Sequence, residues 1–154
     1  MMSEIEVMTK DQPTEQRIQQ LAQYFILLRK LQDKSGAELL ISLGNLNMQE
    51  LNVINIIGDN EPCTMSEIAK QAMLSMSSIT VIVDKLVKAK LVQRIRSEED
   101  RRIVLGALTP EGKKIHQVQI KHMHEVIRKL LSVLSDDEQE NMLKIFHKFT
   151  QVLI

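Results

Sequence analysis

The side chains best suited to chemistry lie in the stretch RIRSEEDRRIVLGALT, residues 94–109. Four arginines surround three consecutive acids there: Arg94, Arg96, Arg101 and Arg102, with Glu98, Glu99 and Asp100. Guanidinium groups bind phosphate and other anions through charge-assisted hydrogen bonds. Asp100 precedes Arg102 by two residues, so both side chains can share one side of an extended segment and the carboxylate can orient the guanidinium. Glu98 and Glu99 fit a solvated loop tip better.

The charge distribution indicates where an anionic partner would bind. The chain has no net charge, which by itself argues against nucleic acid, because nucleic-acid binding requires clustered basic residues. Residues 84–114, however, contain nine basic and five acidic side chains, a net charge of +4, and the rest of the chain therefore carries −4. This pattern predicts a basic face on an acidic body, with an ordinary solvated charged surface as the alternative.

Other kinds of site have less support. The four histidines, His116, His122, His124 and His147, include no pair at i, i+4 and no HExxH motif, so no metal site is predicted, although a metal at a dimer interface stays open. The single cysteine, Cys63, rules out an internal disulfide and is predicted to be a semi-exposed structural thiol, not a redox sensor. An enzyme is a further candidate function, but the sequence has no glycine-rich phosphate loop, no GxSxG motif and no suitably spaced acid pair.

The aromatic residues and the apolar runs exclude two further classes of protein. The aromatic side chains all lie outside the basic segment, which disfavours stacking on single-stranded nucleic acid and leaves duplex DNA. No apolar run approaches the roughly 20 residues that cross a bilayer, and the N-terminus has no secretory leader pattern. We therefore expect a cytoplasmic protein with no membrane partner and no cofactor.

The length and hydrophobic periodicity predict helices on either side of a small central lobe. At 154 residues and 44% hydrophobic content, the chain fits one domain. Residues 1–12 are polar and predict a frayed terminus. A long amphipathic helix is predicted from Pro13, with a possible interruption at Gly36, and a second helix begins near Asn47 and ends around Gly58.

The central lobe combines two short helices with a hairpin. Thr64 and Glu67 form a capping-box pattern, and Ser75 and Ser77 are candidate caps for the next helix. Two short helices joined by a tight turn outline a helix-turn-helix, in which the second is the recognition helix. The alternating runs at residues 91–96 and 103–108 then predict a β-hairpin.

Two further helices complete the predicted order. Thr109 and Pro110 form a helix start, and Ser135 with Glu138 forms a second capping-box pattern before a last helix. The predicted fold is mainly α with a small β-hairpin wing, a winged helix-turn-helix with long N- and C-terminal helices. These outer helices, about residues 13–46 and 110–154, have more apolar surface than the lobe at about 47–109 can cover, so we predict a symmetric dimer.

The segment from residue 74 to 112 carries several motifs in a fixed order. Small hydroxyl residues open the recognition helix, followed by VD-x-L at 83–86, LV-x-R at 91–94, D-x-R at 100–102 and LT-x-x-G at 108–112. On these motifs the chain resembles the MarR (multiple antibiotic resistance) family of bacterial transcriptional regulators. In element order the resemblance covers roughly residues 14–153.

The resemblance implies a homodimer whose recognition helices enter successive major grooves of a pseudo-palindromic duplex operator while the wing tips reach the flanking minor grooves, usually for repression. The residues assigned to DNA binding are Ser75, Ser77, Ser78, Thr80, Val81, Lys85, Lys88, Arg94, Arg96, Asp100, Arg101 and Arg102. Hydroxyl and backbone N–H groups at a helix N-terminus also favour phosphate on physical grounds, although capping is an equal alternative for Ser75. The pairing of Asp100 with Arg102 is part of the same family pattern.

The resemblance also implies an effector, an aromatic or phenolic small molecule bound between the dimerisation helices and the DNA-binding lobe. The residues predicted to line its site are Tyr24, Phe25, Leu28, Leu46 and Met48, each with plain core packing as the alternative. Val81 departs from the family, because many relatives carry arginine or another polar residue there. Together with the zero net charge, this departure supports an alternative function, a winged-helix protein-interaction module without DNA binding.

Overall fold

A computed structural model of the chain describes residues 13–153. The helices in this range are α1 (Glu15–Leu43), α2 (Met48–Asp59), α3 (Met65–Ala72), α4 (Met76–Lys88), α5 (Pro110–Leu131) and α6 (Asp136–Leu153), and the strands are β1 (Cys63–Thr64), β2 (Val92–Arg96) and β3 (Val104–Leu108). This order confirms the predicted helix-turn-helix and wing. The predicted frayed terminus, residues 1–12, lies outside the described residues.

Two compact units divide the chain, Met1–Glu38 and Leu39–Ile154. In the first, α1 begins at Glu15, two residues after the predicted start at Pro13, because Thr14 acts as its cap: the Thr14 hydroxyl accepts the backbone N–H of Arg17 at 3.4 Å. The helix continues through Gly36, so the possible interruption there does not occur.

The second unit has its core in the winged-helix lobe. Apolar side chains from α2, α3, α4 and the sheet pack together there: Val53, Ile54, Ile57, Ile68, Ile79, Val83, Leu86, Val92 and Leu108. Both short helices start as predicted, because Thr64 and Glu67 form a complete capping box and the Ser75 side chain accepts the backbone N–H of Ser78. The core therefore fixes one face of α4 inside the lobe and leaves the opposite face outside.

The wing belongs to a three-stranded antiparallel sheet with strand order β1-β3-β2. The hairpin pairs Val92 with Leu108 at its base and Arg96 with Val104 toward its tip. The short strand β1, which the sequence analysis did not predict, places Cys63 opposite Gly106. The sheet joins the base of the wing to the segment between α2 and α3.

The starts of α5 and α6 follow the predicted caps. Thr109 accepts the backbone N–H of Gly112 at 3.1 Å with Pro110 at the first helical position, and Ser135 and Glu138 exchange side-chain and backbone hydrogen bonds before α6. None of the helices within residues 13–153 combines the length and apolarity that a membrane crossing requires. The predicted division into dimerisation and DNA-binding segments stays a prediction.

Candidate nucleic-acid interface

The candidate interface consists of the outward face of α4 and the wing. At the start of α4, the Ser75 hydroxyl accepts the backbone N–H of Ser78 at 3.2 Å and lies 2.9 Å from the hydroxyls of both Ser77 and Ser78. Ser75 is therefore a helix cap, as the alternative interpretation held. The exposed hydroxyls of Ser77 and Ser78 remain at the surface near the free N–H groups of the first turn.

The next turn of α4 presents an apolar surface. The Thr80 hydroxyl donates to the backbone carbonyl of Met76 at 2.8 Å, so its proton is used within the helix. Val81 follows with 68% of its surface exposed and points away from the core residues Ile79 and Val83. Thr80 and Val81 both lie on the predicted face, but neither offers a free hydrogen-bond donor.

Lys85 is held by a buried carboxylate that the sequence analysis did not identify. Its Nζ lies 2.5 Å from Oε1 of Glu50, whose side chain is 2% exposed, whereas the Lys85 side chain is 61% exposed. The other oxygen, Oε2, accepts the backbone N–H of Asn47 at 2.9 Å and completes the capping box of α2. The asparagine-x-x-glutamate spacing could have revealed the box, but not the partner on α4. Lys85 thus links α4 to α2.

Arg94 is also paired within the protein. Its Nη1 lies 2.7 Å from Oδ1 of Asp84, so the contact joins β2 to α4. This ion pair supports the base of the hairpin, so the Arg94 guanidinium has an internal partner. Lys88, one turn after Asp84, is exposed and has no ion pair with any residue in the range 13–153.

The wing tip is a hydrogen-bonded turn with exposed arginines. Oδ1 of Asp100 accepts the backbone N–H of Arg102 at 2.9 Å, and the Asp100 carbonyl accepts the N–H of Ile103 at 2.9 Å. The expected contact between the Asp100 carboxylate and the Arg102 guanidinium is therefore not the one formed, because the tight turn brings the backbone N–H to the carboxylate first. Asp100 shapes the turn from which Arg102 projects.

Besides Arg94, the wing has three exposed cations that form no ion pair within the described part of the chain: Arg96, Arg101 and Arg102. Glu98 and Glu99 are exposed at the loop tip. Guanidinium groups without an internal partner are available for phosphate or for insertion into a narrow groove. The wing and the exposed Lys88 can therefore hold a polyanion.

The residues predicted to bind an effector lie in both units. Tyr24, Phe25 and Leu28 are exposed on α1 in the first unit. In the second, Leu46 packs against the core of the lobe and Met48 is exposed at the start of α2. Leu46 follows the alternative interpretation, plain core packing, and the effector site stays a prediction.

Cys63 is a buried thiol, so the predicted semi-exposed position is wrong. Its side chain is 2% exposed, because β1 pairs it with Gly106 inside the sheet. Burial, followed by the negative charges of Glu67 and Glu61, raises the pKa of Cys63 to about 11. A thiol with this pKa is protonated and unreactive at neutral pH.

His116, the first of the four histidines in the chain, has a structural contact. Nε2 of His116 lies 3.0 Å from Oδ1 of Asp59, and its ring packs against Gly58, where a Cβ atom would come within 2.6 Å of the ring. Among residues 13–153, no three His, Cys, Asp or Glu side chains are grouped closely enough to hold a metal ion. His116 thus joins the end of α2 to α5.

Comparison with known proteins shows which family the sequence belongs to. A sequence model described as MarR family matches residues 46–104, from the start of α2 into the wing. The chain is 31% identical over 103 residues to the uncharacterized HTH-type transcriptional regulator YpoP of Bacillus subtilis, across 67% of this chain and 73% of YpoP. It is 28% identical over 116 residues to YhjH of the same organism, another uncharacterized HTH-type transcriptional regulator, across 75% of this chain and 63% of YhjH. The match therefore spans less than two thirds of YhjH.

One solved structure resembles this chain over a longer range than the family model does. Streptococcus pneumoniae FabT, crystallised in complex with DNA, is 25% identical and superposes with a TM-score of 0.72. The superposition covers 88% of this chain and 96% of FabT. It therefore includes elements beyond the lobe that the family model matches.

Proposed function

The chain belongs to the MarR family of transcriptional regulators, and from that premise we propose that it binds a pseudo-palindromic duplex operator as a homodimer and represses transcription. Membership of a family of regulators agrees with the prediction that the protein is not an enzyme. FabT, which superposes on most of this chain, was crystallised with DNA, and this supports the same kind of partner here.

The observation that carries the proposal is the set of exposed arginines at the wing tip. The turn set by Asp100 leaves the Arg101 and Arg102 side chains exposed, and the ion pair of Asp84 with Arg94 ties the wing to α4. A recognition helix in the major groove places such a wing against the adjacent backbone and minor groove. The wing and the exposed Lys88 of α4 therefore offer a duplex the cations that its phosphates require.

A homodimer is supported by exposed apolar side chains on the outer helices. Those of α1 include Ile18, Leu21 and Phe25, and those of α5 and α6 include Met123, Ile127, Leu143, Phe146 and Val152. Exposed apolar surface of this extent is typical of interfaces between subunits. A two-fold dimer also supplies the two recognition helices that a pseudo-palindromic operator requires.

Regulation requires an effector that binds one conformation of the dimer better than the other. The predicted effector residues stay Tyr24, Phe25, Leu28, Leu46 and Met48. An aromatic or phenolic molecule that favours the conformation with the wrong spacing of recognition helices would release the operator, since coupling between the two sites is reciprocal.

The test is the affinity of the purified protein for promoter fragments from its own genomic neighbourhood, measured at several salt concentrations. We expect sequence-preferring binding that weakens with salt, and a smaller salt dependence for Arg102→Ala, because each lost phosphate contact lowers the slope by about 0.9. Lys144→Ala on α6 removes an exposed cation paired with Glu140 and is the matched control. Binding without sequence preference, or equal losses in both variants, would overturn the proposal.

A second pair of variants tests the wing turn. Asp100→Asn keeps a side-chain oxygen that can accept the backbone N–H of Arg102, whereas Asp100→Ala removes it. We expect Asp100→Ala to bind the operator more weakly than Asp100→Asn. If both variants bind more tightly than the unmodified protein, the carboxylate acts by repelling phosphate and does not support the arginine.

A further inference from the structure

The outward face of α4 has an apolar centre. Ile79, Val83 and Leu86 are fully buried, which fixes the direction of the opposite face. Val81 lies at the middle of that face with 68% of its surface exposed, one turn after Ser77. On a face that meets DNA, this side chain can gain free energy only from contact with an apolar group, since it has no donor or acceptor for a polar one.

The polar neighbours of Val81 are already bonded inside the protein. The Thr80 hydroxyl donates to the Met76 carbonyl at 2.8 Å, so its proton is not available to a partner. One turn further along, Lys85 is paired with Glu50 and Asp84 with Arg94. The side chain best placed to meet the centre of a groove is therefore an isopropyl group with no donor and no acceptor.

We propose that Val81 is a specificity-determining residue that contacts the C5-methyl group of a thymine in each half-site of the operator. This inference rests on the proposed binding of duplex DNA. Thymine presents a C5-methyl group in the major groove beside its O4 acceptor, whereas the edges of the other bases offer donors and acceptors without a methyl group. A valine placed against such an edge leaves a polar group unpaired, so Val81 favours thymine and also disfavours its competitors.

The charges around Val81 match a duplex as the occupant of this face. Lys88 lies on the same stripe of α4, two turns beyond Val81, and is exposed. The wing, joined to α4 through Arg94, adds the exposed Arg96 and Arg102. The cations beyond Val81 on α4 and on the wing are suited to the phosphates that flank the methyl-bearing floor of a major groove.

The experiment begins with duplexes selected by the unmodified protein from a random pool. Each thymine of the selected half-site is then replaced by uracil, which removes the C5-methyl and leaves base pairing unchanged. At one position in each half-site we expect the Kd to rise about fourfold per methyl, the effect of one buried methyl group. The other uracil positions are expected to change the Kd by less than about twofold.

A double-mutant cycle then assigns the methyl contact to Val81. In Val81→Ala the uracil substitution at the sensitive position is expected to have no further effect, because the partner of the methyl is already gone. Val133→Ala, at a valine 81% exposed beyond α5, is the matched control and should keep the full uracil effect. Both valines are exposed, so both variants are expected to fold.

The outcomes separate this inference from the proposed function. If the protein selects no duplex, both fail. If it selects a duplex but uracil has no effect at any position, or has the same effect in Val81→Ala as in the unmodified protein, the contact of Val81 with thymine is refuted and DNA binding stands.

Discussion

Lys85 lies on α4 with its ammonium group against the carboxylate of Glu50, and replacing it by methionine should destabilise the protein. Methionine preserves helix propensity and much of the aliphatic length, so the change removes mainly the charge. The Glu50 side chain, 2% exposed, would then keep one hydrogen bond, the one that it accepts from the backbone N–H of Asn47. A buried carboxylate without its cation is a costly state.

The size of the effect follows from the exposure of the two partners. Breaking a fully buried ion pair costs about 3–5 kcal/mol, and breaking a fully exposed one costs about 0–1 kcal/mol. Here the carboxylate is buried and the lysine side chain is 61% exposed, so water can partly replace the ammonium. We expect a loss of about 2 kcal/mol in the free energy of unfolding, between these limits.

Urea unfolding at fixed protein concentration measures this loss. With a slope of about 2 kcal/mol/M, the midpoint for Lys85→Met should fall by about 1 M. The control is Lys88→Met on the same helix, which removes a cation that has no ion pair within residues 13–153 and should change stability by less than about 0.5 kcal/mol. Equal stabilities of the two variants would refute the role of the Glu50 contact.

For operator binding, we expect the two variants to show the opposite order of effects from the one expected for stability. Lys88 is free to contact phosphate, whereas Lys85 is held by Glu50, so Lys88→Met should lower the salt dependence of operator binding more than Lys85→Met does. A larger decrease for Lys85→Met would mean that the ion pair opens when the operator binds.

Three further outcomes follow from single contacts. Because the pKa of Cys63 is about 11 and its side chain is buried, a thiol-specific reagent at pH 8 should label the folded protein far more slowly than the urea-unfolded chain; equal rates would contradict the burial. Gly112→Ala would place a Cβ atom 2.0 Å from the carbonyl oxygen of Leu91, so thermal unfolding should show a loss of about 3 kcal/mol, and an unchanged Tm would contradict this packing. Hydrogen bonds from the backbone N–H and then the hydroxyl of Thr64 lower the pKa of Glu67, so the cap stabilises the fold above the ordinary carboxyl pKa and is lost as the pH falls through the lowered value. The stability difference between the unmodified protein and Glu67→Gln should therefore shrink between pH 6 and pH 3, and a constant difference would contradict the pKa shift.

The helix starts were predictable because their causes are local. Thr64, Ser75, Thr109 and Ser135 each accept a backbone N–H group three residues later, so residue type and spacing are sufficient evidence. The hairpin was predictable for a similar reason, since alternation along 91–96 and 103–108 reports which side of each strand is buried.

The strand β1 was missed because two residues are too few for a pattern. Its pairing with β3 depends on where the end of α2 brings the chain, and this pairing buries Cys63 opposite Gly106. Asp100 was correctly predicted to contact Arg102. The group that it contacts is the backbone N–H of Arg102, whereas the guanidinium was expected. Spacing shows that Asp100 and Arg102 are close, but the backbone of the turn decides whether the guanidinium or the N–H group is nearer.

The sequence by itself determined the order of the helices and the hairpin, the basic segment, and the residues on α4 and the wing that define the family pattern. These features depend on neighbours a few positions apart. The tertiary structure alone decided which of those residues are available to a partner. Glu50 and Lys85 are 35 positions apart in the sequence and meet because α2 and α4 pack on one core. That packing pairs Lys85 and leaves Val81 at the surface, since it fixes the rotation of α4 about its own axis.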